Sequence, residues 1–143
     1  MIRNIFKIFN KRNKFEISVP KGWVKDVSNR GLLTCWKENE KDGVIQISQY
    51  ISESDKNISA KEALQLIIKE RGEIGLKIKI YKRGDLNFAV TNYYTSKNGF
   101  FNKDMVVQGL RNVVYMTFTD NHKRDKLYLR EVDEIFESFD FDK

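Results

Sequence analysis

Apolar and polar side chains alternate along much of this chain, which predicts a protein built mainly of half-buried strands. Phe15, Ile17 and Val19 alternate with polar neighbours and run into Pro20, which ends a first strand. The stretch from Pro20 to Trp23 reads as a turn, with Gly22 free to take a positive φ and Trp23 placed to cap a core. A second strand is expected over Gly31–Lys37 and a third over Val44–Ile51. They pair antiparallel across a polar loop that closes in Asp42-Gly43, a hairpin signal. Leu76, Ile78 and Ile80 alternate with Lys77, Lys79 and Tyr81, so one face of that strand is wet, and its lysines suit a guarded sheet edge.

Residues 86–120 organise the rest. Arg83-Gly84-Asp85 turns the chain into them; that tripeptide matches an integrin-binding motif, which we read as coincidence in a hairpin turn. Leu86, Phe88 and Val90 share one face of the next strand, and Ala89, Thr91 and Tyr93 the other. Bends at Asn98-Gly99 and Arg111-Asn112 divide the stretch into three strands of an antiparallel meander. Both faces carry apolar residues, so both need cover.

Three segments follow helical spacing instead. Ser59 with Glu62 forms a capping box ahead of the stripe Ala60, Ala63, Leu64, Ile67 and Ile68, and Gly72 lies where a helix stops. A second helix is expected from about Lys123 to Glu137, with Tyr128, Val132, Ile135, Phe136 and Phe139 as its buried stripe. Ile2, Ile5, Phe6 and Phe9 predict a short amphipathic helix with Arg3 and Lys7 on other faces. The sum is an α+β domain: an antiparallel sheet of six to seven strands covered by helices. Residues 1–14 form a basic arm and 15–143 a single domain.

Charge sharpens that division. The arm holds five basic residues and no acid, whereas the remaining body has 21 basic and 20 acidic residues. A nearly neutral body argues against nucleic acid as a partner, because such a domain crowds cations onto a face of the fold. The arm can pack on the domain or touch a membrane surface or a partner through Ile2, Arg3, Ile5, Phe6, Lys7 and Phe9. Its basic residues interrupt the apolar ones, so it is no secretory leader, and no later run reaches the ~18 apolar residues of a membrane span. The one cysteine excludes an internal disulfide and a cysteine-based zinc site. Together these point to the cytoplasm, and the isoleucine-, lysine- and asparagine-rich composition fits a bacterium.

Three motifs together carry a family resemblance. The chain has Phe15-Glu-Ile-Ser-Val-Pro-Lys-Gly-Trp23, then the helix starting Ser59-Ala-Lys-Glu-Ala-Leu, then Val113-Val-Tyr-Met-Thr-Phe-Thr119 followed by a helix and Ile135-Phe-Glu-Ser-Phe-Asp-Phe141. Over about Phe15 to Phe141 it resembles the PsbP-like fold, shared by the photosystem extrinsic subunit, the Ran-binding Mog proteins and bacterial DcrB-related proteins. The resemblance implies an antiparallel sheet between helices and a role in binding: assembly subunits, nucleotide-exchange partners, or chaperones for secreted toxic effectors. It carries over no catalytic residues.

The inventory of reactive groups agrees. His122 is the only histidine, which excludes paired-histidine metal sites, and its place near a helix start suits capping or solvent. Cys35 lies mid-strand, where a buried inert thiol is expected. There is no P-loop and no Gly-x-Gly-x-x-Gly. Glu131, Asp133, Glu134 and Glu137 read as one solvated helix face, and Asp85 or Asp104 near a pocket is unsupported by any motif. We therefore expect no catalytic residues, no metal and no cofactor. Phe100 and Phe101 sit beside a hairpin bend, preceded by Tyr93 and Tyr94, one of which faces each side of the sheet. They either fill the core under the helices or form a contact site rimmed by Lys97, Asn98 and Lys103. The expected function is non-enzymatic protein binding, as an immunity protein or a chaperone for a secreted toxin, with self-association an open option. The alternatives are peripheral membrane attachment through the arm, or a small ligand-binding or hydrolytic domain.

Overall fold

A computed structural model describes residues 3–9, 14–27, 32–51, 58–97, 99–109, 112–120 and 124–141. Among the described residues ten strands and two helices follow in chain order: β1 (Arg3–Phe9), β2 (Lys14–Pro20), β3 (Trp23–Val27), β4 (Leu33–Lys37), β5 (Glu40–Ile51), α1 (Ala60–Glu70), β6 (Lys79–Arg83), β7 (Leu86–Tyr94), β8 (Phe101–Gln108), β9 (Asn112–Asp120), α2 (Lys126–Glu137) and β10 (Asp140–Phe141). Seven of the strands make one antiparallel sheet in the order β3-β4-β5-β9-β8-β7-β6. It is two meanders joined back to back. The chain builds β3-β4-β5, crosses through α1 to the far edge, and returns inward from β6 to β9, which closes on β5.

Period-two alternation decides what each face does. Phe88, Met105, Val107, Met116, Phe118, Ile45 and Leu33 are buried on one face. Tyr128, Val132, Ile135 and Phe136 of α2 close this face together with Phe15, Ile17 and Val19 of β2. Each such buried Phe or Leu contributes about 1.5–3 kcal/mol. Ala89 and Val106 point the other way, beneath Ala60, Leu64 and Ile68 of α1. The expected cover on both faces is present, and the α+β class with its seven-stranded antiparallel sheet stands.

The second layer holds the main surprise. Residues 3–9 form a strand, not the expected amphipathic helix, and β1 pairs along β2 from Arg3↔Pro20 to Phe9↔Lys14. The helical spacing of Ile2, Ile5, Phe6 and Phe9 rests on few residues, and the run Ile5, Phe6, Ile8 and Phe9 is as compatible with a strand, so the period here was ambiguous. Ile2 lies outside the described residues. β10 pairs with β2 on its other side through Asp140↔Glu16 and Phe141↔Phe15. Just beyond that short pairing, the Ser18 amide donates to the Ser138 hydroxyl at 2.8 Å.

Ser59 caps α1 as expected, accepting from the Glu62 amide at 3.1 Å, and Gly72 follows the helix at φ +83°. α2 starts later than expected, with Asp125 as its cap; His122 lies outside the described residues. The strand expected from Leu76 begins only at Lys79, and the turn after Pro20 leads directly into β3, which had no separate signal. The β4–β5 turn falls at Glu38 and Asn39, with Asn39 at φ +68°, and not at Asp42-Gly43. Gly43 answers a different need: a Cβ there would run into the Tyr128 hydroxyl and lie 3.0 Å from Asp120 Oδ2.

Candidate functional site

The hairpin joining β7 and β8 positions the aromatic residues singled out above. The Thr95 amide donates to the Phe100 carbonyl at 2.8 Å, the Gly99 amide donates to the Thr95 carbonyl at 2.8 Å, and Gly99 takes φ +67°. Ser96 ties the bend to the segment after α1, its amide and hydroxyl donating to the two carboxylate oxygens of Glu73 at 2.8 and 2.7 Å. These two bonds hold the Glu73 carboxyl below its ordinary range.

Tyr93 and Tyr94 face opposite sides of the sheet, and their fates differ. Tyr94 is 69% exposed. It stands directly across from Phe101 in the β7–β8 register and packs edge-on against that ring at 5.5 Å. Phe101 is half-buried and leans on Phe118 of the core at 6.1 Å. The exposed tyrosine is thus held by a column of rings rooted inside the fold. Phe100 is half-buried and Lys97 exposed.

Two residues of the expected contact site do not belong to it. Tyr93 is 5% exposed and Lys103 9% exposed. Lys103 Nζ reaches Asp133 on α2 at 2.7 Å and lies 5.2 Å from the centre of the Phe136 ring. Its long stem crosses apolar surface to a carboxylate, so the covering helix claims it. Tyr93 is claimed by a buried carboxylate.

That carboxylate is Asp104, fully buried in the middle of β8. Its Oδ1 accepts from the hydroxyls of Thr117 at 2.7 Å and Tyr115 at 2.8 Å, and its Oδ2 from the Tyr93 hydroxyl at 2.7 Å. Arg71, just past the end of α1, brings Nη1 to 3.1 and 3.2 Å from the two oxygens. Burial pushes the Tyr93 hydroxyl up to about 12, helped by its bond to Asp104, and raises Tyr115 in the same way. For Arg71, burial works against the charge, yet Asp104 and the two tyrosines raise its affinity for the proton overall. A buried charge this fully met by donors is a fastening between helix and sheet. The sequence did offer one signal: an acid amid the apolar residues of a strand must find partners.

A second polar group lies on the α2 side. Glu131 accepts from Trp23 Nε1 at 3.2 Å and from Lys37 Nζ at 2.8 Å. The Tyr128 ring is flanked by Lys37 at 5.6 Å and Arg124 at 4.7 Å, while its buried hydroxyl has no hydrogen-bond partner among the described residues. Arg124 pairs with Asp120 at 2.5 Å. Among the described residues no three His, Cys, Asp or Glu side chains come together as a metal site. Ser59, Glu62, Asp85, Asn87 and Gln108 line a shallow recess of about 360 Å³. Asp85 is therefore at a surface recess, whereas Asp104 is inside the fold.

The Arg-Gly-Asp tripeptide is accounted for by packing. Arg83 donates to the carbonyls of Glu137 and Phe139 at the end of α2 and lies 4.9 Å over the Phe88 ring. An arginine at a helix C-terminus satisfies carbonyls that have no partner within the helix.

At the level of sequence, no family model and no curated protein matches the chain. Its three-dimensional likeness is broad. The solution structure of cyanobacterial PsbP (CyanoP) from Synechocystis sp. PCC 6803 matches with a TM-score of 0.69, over 98% of this chain and 94% of that one, at 12% identity. The fold is PsbP-like. A crystal structure from Bacteroides thetaiotaomicron VPI-5482 matches 90% of this PsbP-like chain with a TM-score of 0.57 and 16% identity, and the match spans 45% of that chain. Among the described residues of the PsbP-like domain, no helix is long and apolar enough to cross a membrane.

Proposed function

We propose that this PsbP-like domain is a non-enzymatic protein-binding module of a bacterial cytoplasm, with immunity against a toxin, or chaperoning of a secreted one, as its specific form. The observation that carries the reading is Tyr94, 69% exposed yet fixed against Phe101 at 5.5 Å. A large aromatic held in place outside the core loses little freedom when a partner covers it, which is how hot-spot residues act. Phe100 and Lys97 extend the surface around the bend. The engagement of Asp104 and Glu131 supports the non-enzymatic part, since neither carboxylate is left over for proton transfer. The toxin-related form follows the resemblance to DcrB-related proteins.

The test is recovery of partners on the tagged protein from native extract, with Tyr94→Ser as the paired variant. Tyr94 is the residue to change because Phe101 also supports the core. A partner recovered by the native chain and lost by the variant is the expected result. Failure to recover any partner across ionic strengths counts against protein binding, and undiminished recovery by the variant removes this surface.

A further inference from the structure

β6 is the last strand of the seven-stranded sheet, and among the described residues no strand lies on its outer side. In an antiparallel ladder the backbone N–H and C=O groups point by turns to one neighbour and then the other. Half of those on β6 therefore point away from β7, an open template for another strand. Nature commonly guards such edges with lysine, and Lys77, Lys79, Lys82 and Arg83 supply four basic residues with no acid between them. Arg83 is committed to the end of α2. Lys77, Lys79 and Lys82 are exposed.

A guard alone does not explain the apolar groups beside those lysines. Ile80, the second residue of β6, is 55% exposed, and Ile74 is 83% exposed on the approach to it. Ile74, Leu76 and Ile78 line a groove of about 260 Å³ against Ile68 of α1. Ile80 thus gives the edge an apolar contact flanked by Lys79 and Lys82, and the groove lies beside the segment that leads into β6. A second copy of β6 fits poorly, because it would bring the same lysines face to face. A phosphate polymer would use the lysines and leave the backbone edge and Ile80 unmatched.

We propose that the outer edge of β6 accepts an acidic extended segment of another polypeptide as an eighth strand. Carboxylates on the incoming strand meet Lys79 and Lys82, and the apolar residues between them cover Ile80. Main-chain bonds supply affinity, and charge excludes self-pairing. This edge is separate from the Tyr94 surface, so either can fail alone.

The probe is a blocked peptide made of two Glu-Val-Val-Glu units, matching the spacing of Lys79 and Lys82, titrated into the isotope-labelled full chain at low salt. Amide shifts concentrated in Lys79–Arg83, with slowed exchange of the outward-facing amides, are expected. Lys79→Glu with Lys82→Glu should weaken binding by about tenfold or more; Lys79→Gln with Lys82→Gln should give a smaller loss with no charge reversal. Tyr94→Ser should leave peptide binding unchanged. The proposal is overturned by a flat titration, by shifts centred elsewhere, or by binding indifferent to both lysine pairs. It is equally overturned if a single-stranded oligonucleotide occupies the edge with the same lysine dependence and the acidic peptide cannot displace it.

Discussion

Arg71 reaches from just past the end of α1 into the sheet, placing Nη1 3.1 Å from one carboxylate oxygen of Asp104 and 3.2 Å from the other. One buried acid thereby fastens the helix layer to β8 and, through the Tyr115 and Thr117 hydroxyls, to β9.

Replacing Asp104 with alanine takes the shared acceptor from three hydroxyls and a guanidinium at once, leaving Arg71 Nη1 only its 3.2 Å bond to the Tyr93 hydroxyl. Asp104→Ala should cost about 3 kcal/mol, the lower end for a broken buried pair because Arg71 can turn toward water. Arg71→Ala should cost less, since the three hydroxyls still meet the carboxylate. Denaturant midpoints of the two variants against the native chain decide the order.

Tyr128 presents the opposite case. Its hydroxyl is buried with no hydrogen-bond partner among the described residues, so it carries a desolvation cost with no return. Tyr128→Phe should stabilise the fold by about 1 kcal/mol. The ring between Lys37 and Arg124 is retained. A lower melting temperature for this variant would mean that the hydroxyl is satisfied after all.

Gly43 and Tyr128 should be coupled. A Cβ at Gly43 meets the Tyr128 hydroxyl first, with Asp120 Oδ2 at 3.0 Å and Phe118 Cε1 at 3.1 Å behind it. Gly43→Ala should cost about 1–3 kcal/mol as an overpacking change. Adding Tyr128→Phe removes the first obstacle and should recover part of that loss, a positive coupling in a double-mutant cycle. Strict additivity would contradict the contact.

Base should unfold this protein over a defined window. Burial raises Tyr93 and Tyr128 from 10.0 to about 12 and Cys35 from 9.0 to about 12, so the folded state holds these protons more tightly than the unfolded chain. Their contribution is complete below the unfolded values and declines as pH climbs through the window toward about 12. Tyrosinate absorbance and circular dichroism followed together should change in one step for the buried tyrosines. Ionisation of those tyrosines well before loss of structure would refute the linkage.

Much of this architecture could be read from side-chain spacing. The stripe from Ala60 to Ile68 and the cap at Ser59 gave α1, and two-sided apolar alternation in 86–120 demanded cover on both faces. Short runs were the weak point. The apolar residues of 3–9 are spaced so that the sequence fits a helical stripe and a strand alike, and tertiary pairing with β2 decides. Asp42-Gly43 looked like a turn because glycine serves turns, but this glycine makes room for a tyrosine. The aromatic bend was legible as a place, whereas the division of labour within it was not. Which of Tyr93 and Tyr94 turns inward depends on Asp104 and Arg71, whose meeting across 33 residues no local pattern encodes.

The bond between Ser18 and Ser138 spans 120 residues of chain. Phe15, Ile17 and Val19 belong to the same core as α2, so β2 cannot be sealed until α2 has been made. Throughout that interval its apolar face is bare, and closing so long a loop comes late on any folding route. The growing chain must therefore keep β2 from sticking to the wrong neighbour until α2 has emerged.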